Sequence, residues 1–293
     1  MLQIAFADSV DYALGRLDHG SLSQQAVMEI FIGGFKEVSD ICGHRDEPKE
    51  LREWRGVWRN GETQEVKRID WRHFDLAGSL RLEWLPSTLR ELAIRDSRLS
   101  GTIDLSTPPI SLIKICLSAN QLTGTIALDA FPPHLQVLNM ADNRLTGALD
   151  LKTLPASIEY LDCSDNAFTG EIDLTALPIA LINCNLCKNQ LSGPIVLTSL
   201  PDTLENVHLN ENRFQGKLDV TNLPPFLEVI DLQGNSFDGP LDLQSLPASL
   251  VTLDCSNNIG LCGNSIVDKR LYDSVICIDT KIRKQRAGGV ANG

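Results

Sequence analysis

"CSDNAFTGEIDLTALP" (residues 163–178) follows "MADNRLTGALDLKTLP" (140–155) and precedes "LCKNQLSGPIVLTSLP" (186–201), each displaced by 23 residues. Asn166, Gly170 and Pro178 return at the same offsets as Asn143, Gly147 and Pro155, and as Asn189, Gly193 and Pro201. The period runs without insertion or deletion from Gly78 to Asn258. A repeat of this length signals stacked supersecondary units, each too small to bury its own apolar face.

Within one unit, "EYLDCSD" (159–165) places Leu161 and Cys163 between Tyr160, Asp162 and Ser164. That period of two belongs to a strand with one buried face. Copies stacked at about 4.8 Å bury the face jointly and make a parallel sheet along a solenoid. The Asn follows the strand, where a buried side-chain amide is expected to bond backbone groups of adjacent coils. The Gly marks positive φ or close approach. The Pro fixes φ where no ladder bond is donated.

The unit "LPxxLxxLxLxxNxLxGxIDLxx" resembles the leucine-rich repeat family, and its "LTGxI" half the plant-type subclass. The ending "IDLTxLPxxL" resembles repeats of kinetoplastid protists. The resemblance implies an α/β-type solenoid, with a curved parallel sheet, short strands on the convex side and a helical N-terminal cap. It divides the chain into a cap (1–64), about nine repeats (65–263), and a C-terminal cap with a basic flexible tail (264–293).

The flanks fit this division. Val27, Ile30, Phe31, Phe35 and Val38 give residues 21–41 an amphipathic helical pattern interrupted at Gly33-Gly34. "EWRGVWRNGETQEVKRIDW" (53–71) resembles the plant-type N-terminal cap at Trp54, Gly56 and Val57, but Arg52 and Arg59 stand where that cap has cysteines. "NNIGLCG" (257–263) resembles the corresponding C-terminal cap, in which a paired cysteine is common; Cys262 with Cys277 is the one candidate pair, and the sequence leaves open whether they join. "KIRKQRAGGVANG" (281–293) is expected to be a solvated tail.

Composition narrows the function. Twenty-six Lys and Arg against 38 Asp and Glu give a net charge of −12, which disfavours nucleic-acid binding. No apolar run reaches the length of a membrane-spanning helix. The start, "MLQIAFADSVDYAL", lacks the basic region of a secretory leader. None of the 17 Asn residues begins an N-x-Ser/Thr sequon. Together with the arginines in place of cap cysteines, these features favour a cytoplasmic protein. A surface antigen or adhesion receptor would need a signal sequence and an anchor.

No nucleophile elbow, zinc-protease, P-loop or kinase motif is present, and the five His residues fall at unrelated repeat positions. The chain therefore reads as non-enzymatic, with no cofactor and no metal. "CNLC" (184–187) resembles a zinc motif, but residues three apart on a strand face opposite ways. Cys163, Cys184 and Cys255 occupy core slots, whereas Cys116 and Cys187 should point outward. Asp104, Asp150, Asp173, Asp219 and Asp242 share an outward slot, read as a solvated edge against strand pairing.

Outward positions on the main sheet do not repeat, as expected of a recognition surface on a concave face. Tyr160 supplies an aromatic anchor, surrounded by Asn139, Asp162, Asn183, Asn185 and His208, while Arg72 and Arg95 offer a basic end to an acidic partner group. The function expected is a binding scaffold for a protein partner. The rival is an adaptor or substrate-recognition subunit of an enzyme complex, such as a ubiquitin ligase, with a docking helix in residues 1–64.

Overall fold

A computed structural model describes residues 21–105 and 108–287. The readings made on residues 1–20 and 288–293 lie outside the described residues. Each repeat makes two short strands, and the two sets stack into separate sheets. The eleven-stranded sheet comprises β1 (Val57–Arg59), β2 (Val66–Asp70), β3 (Glu91–Ala93), β5 (Lys114–Cys116), β7 (Val137–Asn139), β9 (Tyr160–Asp162), β11 (Asn183–Asn185), β13 (Asn206–His208), β15 (Val229–Asp231), β17 (Thr252–Asp254) and β19 (Val275–Ile276). The nine-stranded sheet comprises β4 (Ser100–Thr102), β6 (Gln121–Gly124), β8 (Arg144–Gly147), β10 (Ala167–Glu171), β12 (Gln190–Gly193), β14 (Arg213–Lys217), β16 (Ser236–Pro240), β18 (Gly260–Val267) and β20 (Lys281–Arg286). β1 runs antiparallel to β2, and the strands that follow pair in parallel. The first sheet stays in register one repeat at a time, so Tyr160 lies between Val137 and Asn183.

One apolar core runs between the sheets. In the unit at 158–174, Ile158, Leu161, Cys163, Phe168, Ile172 and Leu174 are all buried. Each large aliphatic or aromatic side chain contributes about 2 kcal/mol of burial energy, but only because neighbouring coils cover it. Phe214 and Phe237, one repeat apart, stack with centroids 6.3 Å apart.

The Asn row ties successive coils together. Asn189 Nδ2 donates to Cys163 O (3.0 Å), Leu186 O (3.1 Å) and Cys187 O (3.1 Å), and its Oδ1 accepts from Phe168 N (3.0 Å). Asn143, Asn166, Asn212, Asn235 and Asn258 repeat this donor pattern. Gly170, at φ +89°, occupies the left-handed region that its slot requires. Each Pro opens a turn whose carbonyl accepts from the amide three residues on, as Pro178 O does from Leu181 N (3.0 Å).

The N-terminal cap begins with α1 (Gln24–Ile32), capped by Ser23 Oγ, which accepts from Ala26 N (3.2 Å). It ends at Gly33, and α2 (Ser39–Cys42) follows. The apolar face of α1 is spent on the first coil, where Phe31 stacks on Trp71 at 5.9 Å; Phe35, just past the helix, meets Trp71 edge-on at 6.0 Å. Gly34 lets the cap backbone touch the solenoid, since a Cβ there would lie 2.4 Å from Ser79 O. Gln24 Oε1 accepts from Val66 N and Gln25 Oε1 from Leu51 N, both at 2.6 Å.

At the other end, part of the expected solvated tail is instead a strand. β20 pairs in parallel with β18 from Cys262↔Lys281 to Val267↔Arg286. Backbone groups left free at the edge of β18 provide the partner that the basic composition of "KIRKQR" conceals. The Cys262–Cys277 proximity implied by the family resemblance is replaced by another: Cys277 Sγ lies 3.2 Å from Cys255 Sγ.

Candidate functional site

The outward face of the eleven-stranded sheet brings most of the expected residues together. Tyr160 (β9) is half-buried, and its hydroxyl lies 3.4 Å from Asp162 Oδ2. Burial, followed by the adjacent Asp162 carboxylate, raises its pKa. On β11, Asn183 Oδ1 accepts from Asn206 Nδ2 (2.7 Å), forming an amide pair across two strands. His208 lies beside Asn185 on one side and Asp231 on the other. Arg95 is exposed after β3, three strand spacings from β9, or about 14 Å.

Asp162 differs from the expectation of an accessible contact residue. It is only 8% exposed. Its Oδ1 accepts from Ser164 Oγ (2.6 Å) and Ser164 N (3.1 Å), and Asn139 Nδ2 approaches its Oδ2 at 3.4 Å. The same side-chain-to-backbone bond recurs along its row: Asn139 accepts from Ala141 N (3.1 Å), Asn185 from Cys187 N (3.2 Å), Asp231 from Gln233 N (3.1 Å) and Asp254 from Ser256 N (2.8 Å). These Asx residues occupy an amide at the strand exit that the neighbouring coil does not reach. Their identity is therefore partly structural. The row through Val137, Tyr160, Asn183, Asn206 and Val229 makes no such bond and varies more freely.

The basic end is more nearly neutral than its arginines suggest. Arg72 Nε and Nη2 and Arg68 Nη2 all reach the Asp70 carboxylate at 2.8 Å. The hydrogen bonds from Arg72 outweigh burial and, with those from Arg68, hold the Asp70 carboxyl well below the usual range, at about 2. Trp58, on β1, was not among the expected site residues. It stands beside Arg68 in register, with the guanidinium 4.8 Å from its ring centroid and 48% of its surface exposed. Its alternation with Val57 and Arg59 is the signal that places it on the outward face, obscured by its position inside the cap motif.

The opposite end is acidic. Asp231 and Asp254 are in-register neighbours. Burial first, and then Asp254, raise the Asp231 pKa, against the opposing hydrogen bond from Gln233 N. Outside this sheet, the repeated acidic slot forms turns: Asp150, Asp173, Asp219 and Asp242 accept from the amides of Lys152 (3.2 Å), Thr175 (2.9 Å), Thr221 (3.0 Å) and Gln244 (3.0 Å). Asp173 also pairs with Lys152 Nζ at 2.9 Å. Among the described residues, no cluster of three or more His, Cys, Asp or Glu side chains has metal-binding geometry. No helix there is long and apolar enough to cross a membrane.

Neither a protein-family model nor a curated protein matches the chain. Solved structures do. A plant ice-binding protein superposes with a TM-score of 0.62 at 21% identity, covering 91% of this chain and 98% of its own. The PEPR1–AtPEP1 structure gives 0.68 at 19% identity, covering 89% of this chain and 42% of the other. The leucine-rich-repeat ectodomain of the Arabidopsis thaliana membrane receptor kinase GASSHO1/SCHENGEN3, in complex with Casparian strip integrity factor 2, gives 0.62 at 20%, covering 89% and 36%. The chain thus spans nearly all of the first protein but under half of the other two chains. With the two-sheet stacking and the Asn ladder, these likenesses establish the fold of this chain as a leucine-rich-repeat solenoid.

Proposed function

We propose that this chain is a non-catalytic scaffold that binds a protein or peptide partner on the outward, concave face of its eleven-stranded sheet. One contrast supports the reading most strongly. Core, Asn, Gly and Pro positions repeat at 23 residues, while the Tyr160 row changes character from coil to coil. Extended concave surfaces of that kind are how solenoids recognise partners. The GASSHO1/SCHENGEN3 structure, which contains a bound factor, supports the same use of the fold. The adaptor reading has less support, because the apolar face of α1 packs on the first coil of the solenoid instead of facing a partner. A cytoplasmic site of action remains part of the proposal, supported by Arg52 and Arg59 in place of cap cysteines.

Affinity capture with the full chain, followed by binding measurements with the partner recovered, tests this reading. Tyr160→Ala, Trp58→Ala and Arg95→Glu are each expected to weaken binding about tenfold or more, as aromatic and Arg anchors do. Asp202→Lys, on an exposed turn outside the sheet, should leave it unchanged. The reverse pattern would remove the concave face as the site.

A second reading, ice binding, rests on Ser100, Thr123, Thr146, Thr169 and Ser192, which place a hydroxyl on each of five successive strands of the nine-stranded sheet before Gln215 and Asp238 take the slot. The plant ice-binding protein that matches over nearly its whole length supports it. Exposed Arg144, Glu171, Arg213 and Lys217 interrupt the surface with charge, so this reading ranks second. Inhibition of ice recrystallisation that Thr146→Lys abolishes would promote it. No inhibition at any concentration would end it.

A further inference from the structure

We propose that Cys255 and Cys277 form a dithiol site that a small-molecule disulfide converts to an intramolecular disulfide, joining the C-terminal cap covalently to the last repeat. The two sulfur atoms lie 3.2 Å apart. Their approach follows from the register. Leu253 pairs with Val275 and Asp254 with Ile276, so Cys255 stands opposite Cys277. A strict 23-residue period would put Ile278 there. The last coil is one residue shorter, and that deletion brings a second cysteine into the slot. Cys255 N donates to Ile276 O and Asn257 N to Ile278 O, both at 2.9 Å, holding the two chains together on either side of the pair. In-register parallel strands stand about 4.8 Å apart, within the Cα separations that disulfides span.

The two thiols divide the chemistry. Cys255 is buried and Cys277 half-buried, so an oxidant reaches Cys277 first. The sulfur–sulfur contact with Cys255 lowers the Cys277 pKa against the effect of burial, with Lys284 adding to the lowering and Asp254 opposing it. Thiolate character at the accessible sulfur favours attack there. The Cys277 thiolate attacks one sulfur of oxidised glutathione, forming a mixed disulfide and expelling one glutathione thiolate, which takes up a proton. Cys255 then loses its proton and attacks Cys277 Sγ, expelling the second glutathione. Two protein S–H bonds are lost and one S–S bond forms. The two electrons reduce oxidised glutathione to two thiols. The other core cysteines are poor competitors: Cys163 and Cys184 are buried, and burial pushes the Cys184 thiol up to about 12. Cys262 lies on β18, in the other sheet.

The full chain is equilibrated in oxidised and reduced glutathione under native conditions, quenched by alkylation, and mapped by mass spectrometry, with circular dichroism confirming the fold. The wild type should lose two hydrogen atoms and yield linked peptides containing Cys255 and Cys277. Cys262→Ser should behave identically. Cys255→Ala should retain glutathione on Cys277, and Cys277→Ser should form no bridge. Oxidation should also slow protease cleavage within residues 264–287 by roughly tenfold, since a cross-link suppresses local opening of the cap; Cys277→Ser should lose that protection. A bridge mapped to Cys262–Cys277 would overturn the proposal. So would a folded wild type that holds glutathione on Cys277 without closing the bridge.

Discussion

Replacing Asn189 by Ala tests whether the Asn row, rather than apolar packing alone, locks the coils together. The Asn189 amide makes four bonds. Two reach the preceding coil at Cys163 O and Phe168 N, and two close its own coil at Leu186 O and Cys187 O. Truncation leaves the buried Phe168 N–H without that acceptor, at about 1–3 kcal/mol. It also withdraws a donor from three carbonyls, which tolerate the loss better because oxygen has two lone pairs. The total expected is about 3 kcal/mol. Asn166 makes the same contacts but is less buried, so Asn166→Ala should cost about 2 kcal/mol. Asp202→Ala, on an exposed turn, should cost less than about 0.5 kcal/mol. It is a cleaner control than Asp173→Ala, because Asp173 caps its own turn and pairs with Lys152. Urea denaturation followed by far-UV circular dichroism reads the whole solenoid, whereas Trp54, Trp58, Trp71 and Trp84 report only the N-terminal end by fluorescence. If Asn189→Ala and Asp202→Ala melt at the same urea concentration, the amide ladder does not bear the stability assigned to it.

Four other substitutions probe charge and backbone. The Asp70 pKa of about 2 makes its contribution fully present above the ordinary carboxylate range and lost as pH falls toward 2. Asp70→Asn should therefore cost about 1 kcal/mol at pH 7, discounted because both guanidinium partners are about half exposed, and progressively less in thermal melts as pH falls toward 2. Asp231 has the opposite sign. Burial raises its pKa, with Asp254 and Glu211 adding to the rise and Gln233 N and His208 opposing it, so its contribution is lost as pH rises through that raised value. Asp231→Asn keeps the oxygen that accepts from Gln233 N, and should melt higher than the wild type at pH 7 but not below the ordinary carboxylate range. Lys188, at φ +51°, holds a left-handed conformation occupied one repeat pair later by Gly234, at φ +66°. Lys188→Gly should stabilise by about 0.5–1 kcal/mol and Gly234→Ala should destabilise by about 1 kcal/mol; denaturant midpoints that move the other way would contradict the assigned backbone strain.

The sequence alone determined the solenoid, because its determinants are local and recur. Leu161 and Cys163 alternate within one strand, Asn166 and Gly170 follow at fixed offsets, and the 23-residue period states that neighbouring coils complete the core. Other features depend on what the next coil places opposite a residue. Asn139, Asp162 and Asn185 read from sequence as freely varying surface groups, whereas in the structure their oxygens accept from amides two residues on. Trp58 lies on the outward face of the eleven-stranded sheet because antiparallel pairing sets it beside Arg68. Ala119, Lys188 and Glu211 adopt positive φ at a slot that Gly234, Asn257, Asp142 and Asp165 announce in other repeats, since the inter-coil bonds from Ala119 N, Lys188 N and Glu211 N impose the turn regardless of side chain. "KIRKQR" reads as a solvated basic run, yet the open edge of β18 makes it a strand. Cys277 meets Cys255 instead of Cys262 because the last coil is one residue short, and a shift of one residue in register changes every neighbour a side chain has.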